Sequence, residues 1–246
     1  MDTNNNTYTV IYATVMVVIV AALLALASYL LKDRQQRNVA LETKQQILKS
    51  VKLGQDAETA DDKATYIEGL YDKHIAETKV TSGAEELTLY ICTMESGEKL
   101  YIIPVHGTGL WGPVWGYVAL KSDFNTIYGA TYDHKGETPG LGAEIATPEF
   151  TKQFEGKQIF TNGEFKSILV VKGGADTGST NEVDAISGGT ITSKAVEDML
   201  FKSIGHYLEY FKVAAANATP AESISTADST AKSDSAATPT PNPVNQ

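Results

Sequence analysis

This chain of 246 residues is short of the side chains that build reactive centres by themselves. Its single cysteine, Cys92, excludes an internal disulfide and any cysteine-built iron–sulfur or zinc site within the chain. That thiol reads as a small buried residue of a strand. His74, His106, His134 and His206 are scattered without metal-ligand spacing, so no metal site is expected. Positive charge is scarce too, 20 Lys and Arg against 30 Asp and Glu for a net charge of -10. That balance argues against a nucleic-acid partner, whose phosphates are neutralised by cations. No serine, histidine and acid stand in an order that marks a hydrolase, and no side chain is singled out as a catalytic acid, base or nucleophile.

One absence is local. Residues 8–31 contain no charged residue. At helical rise they extend roughly 36 Å, enough to cross a hydrocarbon core of roughly 30 Å. Tyr8, Tyr12 and Tyr29 lie near the ends, where aromatic rings favour the interface. The stretch is too long for a secretory signal and its amino end lacks Lys or Arg, so a retained single-pass anchor in the lipid bilayer is expected. With no ionisable residue at membrane depth it has no means of conducting an ion, and serves as a tether. Lys32, Arg34, Arg37, Lys44 and Lys49 follow it, and by charge count alone they would keep the following domain in the cytoplasm.

Five segments are expected: a short N-terminal tail over 1–7, the anchor over 8–31, a juxtamembrane helix over 32–56, a globular domain over 57–213 and a low-complexity tail over 214–246. The last is rich in Ala, Ser, Thr and Pro and cannot bury enough surface to offset its ordering entropy. Within the domain, spacing predicts a helix over 60–79, and short β-favouring runs predict strands over 87–94, 100–105, 114–120, 126–132 and 165–171. A short helix is expected over 148–154 and a longer one over 191–211, where Ile191, Ala195, Met199, Leu200 and Ile204 recur at threes and fours. The fold class is α+β, a single transmembrane helix followed by a mostly antiparallel, curved sheet with flanking helices.

The start of that last long helix draws the most interest. Asp184-Ala185-Ile186-Ser187-Gly188-Gly189-Thr190 is a small-residue turn opening into it. Its uncommitted N–H groups beside the positive end of the helix dipole form a ready site for a phosphate. The same residues would also make a plain N-cap. Gly107-Thr108-Gly109-Leu110-Trp111-Gly112 has the letters of a dinucleotide fingerprint, but Pro113, Val114 and Trp115 continue it as a strand where that motif needs a helix. Residues 173–180 lack the lysine of a phosphate-binding P-loop.

Ser187-Gly188-Gly189-Thr190 resembles the flavinylation motif Ser/Thr-Gly-Ala-Thr, with Gly189 where alanine is usual. Residues 107–117 resemble the Gly-Leu-Trp segment of the covalent FMN-binding subunit (the C subunit) of the Na+-translocating NADH:quinone reductase. Gly136-Glu137-Thr138-Pro139-Gly140-Leu141-Gly142 looks like the flavin-contacting loop shared with the related flavoprotein of the Rnf electron-transport complex. Together the three motifs identify the chain as a relative of these proteins.

The resemblance implies FMN joined to Thr190 by a phosphoester, placed there by a separate flavin transferase. It implies a soluble domain on the periplasmic side of the cell inner membrane, against the charge count. It also implies other subunits as partners and an electron relay from NADH toward quinone. Around the cofactor, Ser187, Gly188, Gly189 and Thr192 are expected at the phosphate, with Lys172 as a neutralising cation. Trp111 and Leu141 are expected against the ring, and Glu137 and Thr138 as polar contacts. Two alternatives remain: the flavoprotein of an Rnf-type ferredoxin:NAD complex, and a tethered scaffold whose Thr190 is never modified.

Overall fold

The computed structural model describes residues 6–83 and 85–218. Its first element, α1 (Asn6–Ser50), is one helix of 45 residues, about 68 Å long at helical rise. The two helices expected over 8–31 and 32–56 are thus a single rod, because no glycine or proline interrupts it. It ends where Lys52 turns left-handed (φ 62°) and the Leu53 N–H reaches back to the Leu48 carbonyl at 2.9 Å. Apolar side chains from Val10 to Leu31 are exposed, and only the far end is packed, with Ile47 and Leu48 fully buried.

A 3-10 turn, Ala57–Thr59, leads to α2 (Lys63–His74), whose first turn is capped by the Asp62 carboxylate accepting from Ala64 and Thr65. The expected helix over 60–79 stops at His74. From there Ile75 pairs with Cys92 and the ladder runs on to Ser82 opposite Glu85. The β-branched Thr78, Val80 and Thr81 lose less freedom in that strand than they would in a helix.

The strands β1 (Ile75–Ser82), β2 (Glu85–Thr93), β3 (Lys99–Thr108), β4 (Pro113–Leu120) and β5 (Ile127–His134) form an antiparallel sheet in sequence order. Alternation along β3 sorts its side chains between two cores. Leu100 and Ile102 pack with Ile47, Leu48 and Ile67 from α1 and α2. Ile103 and Val105 face the opposite side. Cys92 is a fully buried strand residue, as expected, and burial pushes its thiol up to about 11.

After β5 come a 3-10 turn (Gly142–Ala146) and α3 (Pro148–Thr151), which passes into a second 3-10 turn (Lys152–Phe154). The strand expected over 165–171 is divided. One part, β7 (Glu164–Phe165), pairs with β6 (Phe160–Thr161), and the other, β8 (Leu169–Val171), pairs in parallel with β9 (Glu182–Asp184). Between them Ser167 is left-handed (φ 58°), and both it and Lys166 donate N–H bonds to Ile159 O at 2.9 Å.

The final helix also breaks into two. The first, α4 (Thr190–Gly205), lays Val196, Met199, Leu200 and Ile204 into the core beside Ile103 and Val105. The second, α5 (Leu208–Ala218), adds Phe211 to that core. The helix therefore extends past 213, into the stretch expected as tail, and the rest of that stretch lies outside the described residues. The expected class holds: an apolar N-terminal helix, then an antiparallel sheet with helices on both faces.

Candidate functional site

Three segments far apart in sequence meet at one end of the sheet: the β3–β4 turn, the loop after β5, and the first turn of α4. They enclose a cavity of about 380 Å³ lined by Leu110, Trp111, Glu137, Thr138, Leu141, Gly142, Gly188, Gly189, Thr190, Ile191 and Thr192. That volume lies in the range of roughly 300–1,000 Å³ typical of small-molecule sites.

The β3–β4 turn is a tight hairpin in which Gly109 N–H bonds Gly112 O at 2.8 Å. It carries Trp111 at its tip, 69 % exposed. The segment that spells a dinucleotide fingerprint is therefore a hairpin and opens no helix. In the loop after β5, Thr138 O accepts N–H bonds from Leu141 and Ala143, both at 3.1 Å, so Leu141 is held facing the α4 start. No side chain caps α4. Its first N–H groups lack intrahelical partners by geometry, and the exposed Thr190 hydroxyl stands at the same place.

Gly188 has φ 74°, and a Cβ there would come within 2.6 Å of Leu141 Cδ2. Only glycine lets this turn sit so close to the opposite wall. Gly189 is buried behind it. The turn is locked from below by the Ser193 hydroxyl, which accepts the Ile186 N–H at 3.0 Å.

Glu137 joins the three segments. Its carboxylate, 4 % exposed, accepts the Trp111 N–H at 2.8 Å through Oε1 and the Thr192 hydroxyl at 2.5 Å through Oε2. Burial pushes this carboxyl up, but the bonds from Thr192, Trp111 and Leu110 and the nearby His134 outweigh it. The net pKa is below the ordinary carboxylate value. His134 Nδ1 in turn accepts the Glu137 N–H at 3.2 Å.

Of the residues expected from sequence, Trp111, Glu137, Thr138, Leu141, Gly188, Gly189, Thr190 and Thr192 all line the cavity. Ser187 is exposed on the turn beside it. Lys172 is exposed just past β8 and is not among the lining residues, so it gives the cavity no cation. The hydroxyl of Thr192 is already donated to Glu137 and is not free to serve an anion. Leu110, Ile191 and Gly142 line the site without having been singled out. Ile191 gave no signal, since its place in the helix period reads as part of the buried face, whereas it is 59 % exposed.

Over residues 109–204 the chain matches the family model of the FMN-binding domain. The C subunit of the Na(+)-translocating NADH-quinone reductase of Vibrio anguillarum is 42% identical over 123 residues, 49% of this chain and 48% of that protein. The same-named protein of Neisseria meningitidis serogroup B (strain MC58) is 43% identical over 119 residues, 48% of this chain and 46% of the relative. The chain thus spans about half the length of the curated relatives it matches. The crystal structure of the same-named protein from Parabacteroides distasonis superposes with a TM-score of 0.65 at 39% identity, over 74% of this chain and 96% of that one. The Shewanella oneidensis NqrC structure, at 23% identity and a TM-score of 0.61, shares the fold.

The residues present fit an FMN group. An uncapped helix start flanked by glycines offers N–H donors to a phosphate. Trp111, Leu110, Leu141 and Ile191, each more than 40 % exposed, offer a flat ring apolar surface that would otherwise face water.

Proposed function

Because this chain belongs to the NqrC family, the C subunits of Na+-translocating NADH-quinone reductases, we propose that it is a membrane-anchored electron-transfer flavoprotein with FMN esterified to Thr190. The observation that carries this reading is the convergence of the exposed Thr190 hydroxyl, the uncapped α4 start and an unoccluded apolar wall on one cavity.

FMN, when bound, supplies the one- and two-electron chemistry of its ring. The chain's own part is to hold and orient. Gly188 and Gly189 bring backbone N–H groups close, and the N-terminal end of α4 favours negative charge. Among the described residues, the sole charged side chain lining the cavity is the Glu137 carboxylate. A free phosphomonoester would carry about -1.5 to -2 charge at pH 7 with no cation to meet it. A phosphodiester carries a single negative charge, which suits a site neutralised by a helix dipole alone. Both oxygens of Glu137 already accept hydrogen bonds, and its lowered pKa makes it a weak base toward Thr190. Threonine is a weak nucleophile unless activated. Attachment therefore falls to a separate flavin transferase.

Trp111 and Leu141 would offer the ring apolar surface, and Thr138 would offer its edge a polar contact. Glu137 acts through others, fixing Trp111 and Thr192. In the assembled reductase this protein would be one carrier between NADH and quinone, with Na+ moved by other subunits and the domain on the periplasmic side of the inner membrane. The apolar, exposed part of α1 supports anchorage in lipid.

Denaturing gels viewed under ultraviolet light test the attachment, using protein from cells with an active flavin transferase. Fluorescence at the mass of this chain is expected, and Thr190→Ala should abolish it. Because Thr190 is exposed, the variant's unfolding free energy should stay within about 0.5 kcal/mol of wild type. Fluorescence retained in the variant would remove Thr190 as the site.

A further inference from the structure

The turn before α4 departs from the motif it resembles at one residue, with Gly189 where alanine is usual. Backbone conformation does not demand glycine there, because Gly189 has φ -107°, outside the left-handed region. Space does. A Cβ built on Gly189 would meet Ile186 Cγ2 at 2.9 Å, Ile186 Cβ at 3.1 Å and the Leu141 carbonyl carbon at 3.3 Å. Carbon atoms pack at about 3.5–4.0 Å, so a methyl cannot enter without moving Ile186. The β-branch of Ile186 occupies the room that an alanine would need.

Ile186 is itself held at both backbone groups and at its side chain. Its N–H donates to the buried Ser193 hydroxyl at 3.0 Å, and its carbonyl accepts the Gly189 N–H at 3.0 Å. The Gly189 carbonyl then accepts the Ser193 N–H at 2.8 Å. Just before it, Ala185 N–H bonds Val171 O at 2.9 Å, and Asp184 N–H bonds the Gln153 side chain at 2.8 Å. Residues 184–189 thus enter α4 on a fixed path, and Thr190 is the next residue along it. The Ile186 side chain packs against the core and borders a second cavity, about 180 Å³, with Phe150 and Gln153. It does not line the cavity beside Thr190, so it reaches that cavity only through Gly189 and Ser193.

We propose that Ile186 is a positioning residue for flavin attachment, matched to Gly189 and fixing the direction in which Thr190 presents its hydroxyl. The proposal rests on Thr190 being the attachment site. In that transfer the Thr190 oxygen bonds to the FMN phosphorus of FAD while the pyrophosphate bond breaks. AMP leaves, and the hydroxyl proton passes to the transferase. The attacking oxygen must meet the phosphorus in line, so a small displacement of the turn slows the step. The small residues of the turn are needed for the shape they allow, and the methyl of the usual alanine is not read. An alanine at position 189 displaces Ile186 or the α4 start, and Thr190 with it. Leucine at position 186 keeps the volume, lacks Cγ2 and has the cavity beside Phe150 and Gln153 to enter. It makes room for the methyl.

The test is a double-mutant cycle on the full chain in detergent, purified without flavin and supplied with FAD and a purified flavin transferase. Covalent flavin is read from in-gel fluorescence as initial rates against chain concentration. Gly189→Ala is expected to lower kcat at least about tenfold, with KM for the chain within about threefold of wild type. Adding Ile186→Leu should return kcat to within about threefold of wild type, and Ile186→Leu alone should stay within the same range. A second readout needs no flavin. The amide at position 189, which donates to Ile186 O, should exchange at least about tenfold faster in Gly189→Ala and recover in the double variant. Undiminished attachment in Gly189→Ala, a loss carried by KM alone, or no recovery in the double variant overturns this proposal and leaves Thr190 as the attachment site. Absence of flavin from wild type, with a transferase active on another acceptor, overturns the attachment reading and this proposal with it.

Discussion

Glu137 shows how one buried carboxylate can organise a site by joining its segments. It ties the hairpin tip to the first turn of α4 through Trp111 and Thr192. A carboxyl whose pKa is lower folded than unfolded adds stability above its unfolded value, here 4.5, and gives it up as pH falls through the folded value. Below about pH 4.5 the melting temperature of wild type should therefore fall more steeply than that of Glu137→Gln, while the two stay parallel above it. Identical slopes in a calorimetric series from pH 3 to 7 would contradict this role. Gly188 gives a second test at the same scale. With φ 74° and Leu141 within 2.6 Å of any Cβ, Gly188→Ala should cost about 1–2 kcal/mol in urea denaturation. Flavin attachment should fall with it. The residues at the phosphate end were legible because a small-residue turn before a periodic helix is a local pattern. The clasp made by Glu137 was not, since its partners Trp111 and Thr192 lie on other segments and nothing in their spacing signals the contact. Lys172 misled for the complementary reason: a cation near a candidate anion site in sequence need not be near it in space.

Among the elements, α1 has two unlike ends. Residues up to Leu31 are exposed, whereas Ile47 and Leu48 are sealed against the sheet with Ile67, Leu100 and Ile102. Leu48→Ala should therefore cost about 2–5 kcal/mol in chemical denaturation, the range for a buried leucine whose surroundings relax only partly. A loss under about 0.5 kcal/mol would mean that the rod is not seated as described. Element identity was readable wherever periodicity ran long, as in α4. It failed where a strong tertiary partner was invisible locally. Thr78 lies in a stretch that reads as helix, yet the β2 ladder claims it, opposite Leu89. Ser167 reads as the middle of a strand, yet its left-handed backbone separates β7 from β8. The junction between anchor and juxtamembrane helix was inferred from composition, and composition changes there without any break in backbone geometry.

For the whole molecule, the apolar part of α1 and the flavin-type domain are separate in packing. Removing residues 1–31 should leave the domain's melting temperature unchanged, as Val10, Leu24 and the other apolar side chains of that stretch pack against no part of the domain. It should abolish association with liposomes in a flotation assay. The domain rises from a rod whose apolar part ends about 24 Å before Ile47, counted at helical rise. The cavity lies at the end of the sheet toward the N-terminal side of α1, since Gln46 sits beside Asp133 and Ser50 beside Gly129.

The most direct measurement is peptide mass spectrometry on the protein purified from its native membrane. The account predicts that the peptide containing Ser187 to Thr190 carries the mass of an FMN phosphoester and that fragmentation places it on Thr190. An unmodified peptide at full occupancy, in cells with a competent flavin transferase, would contradict it, as would the adduct on any other residue.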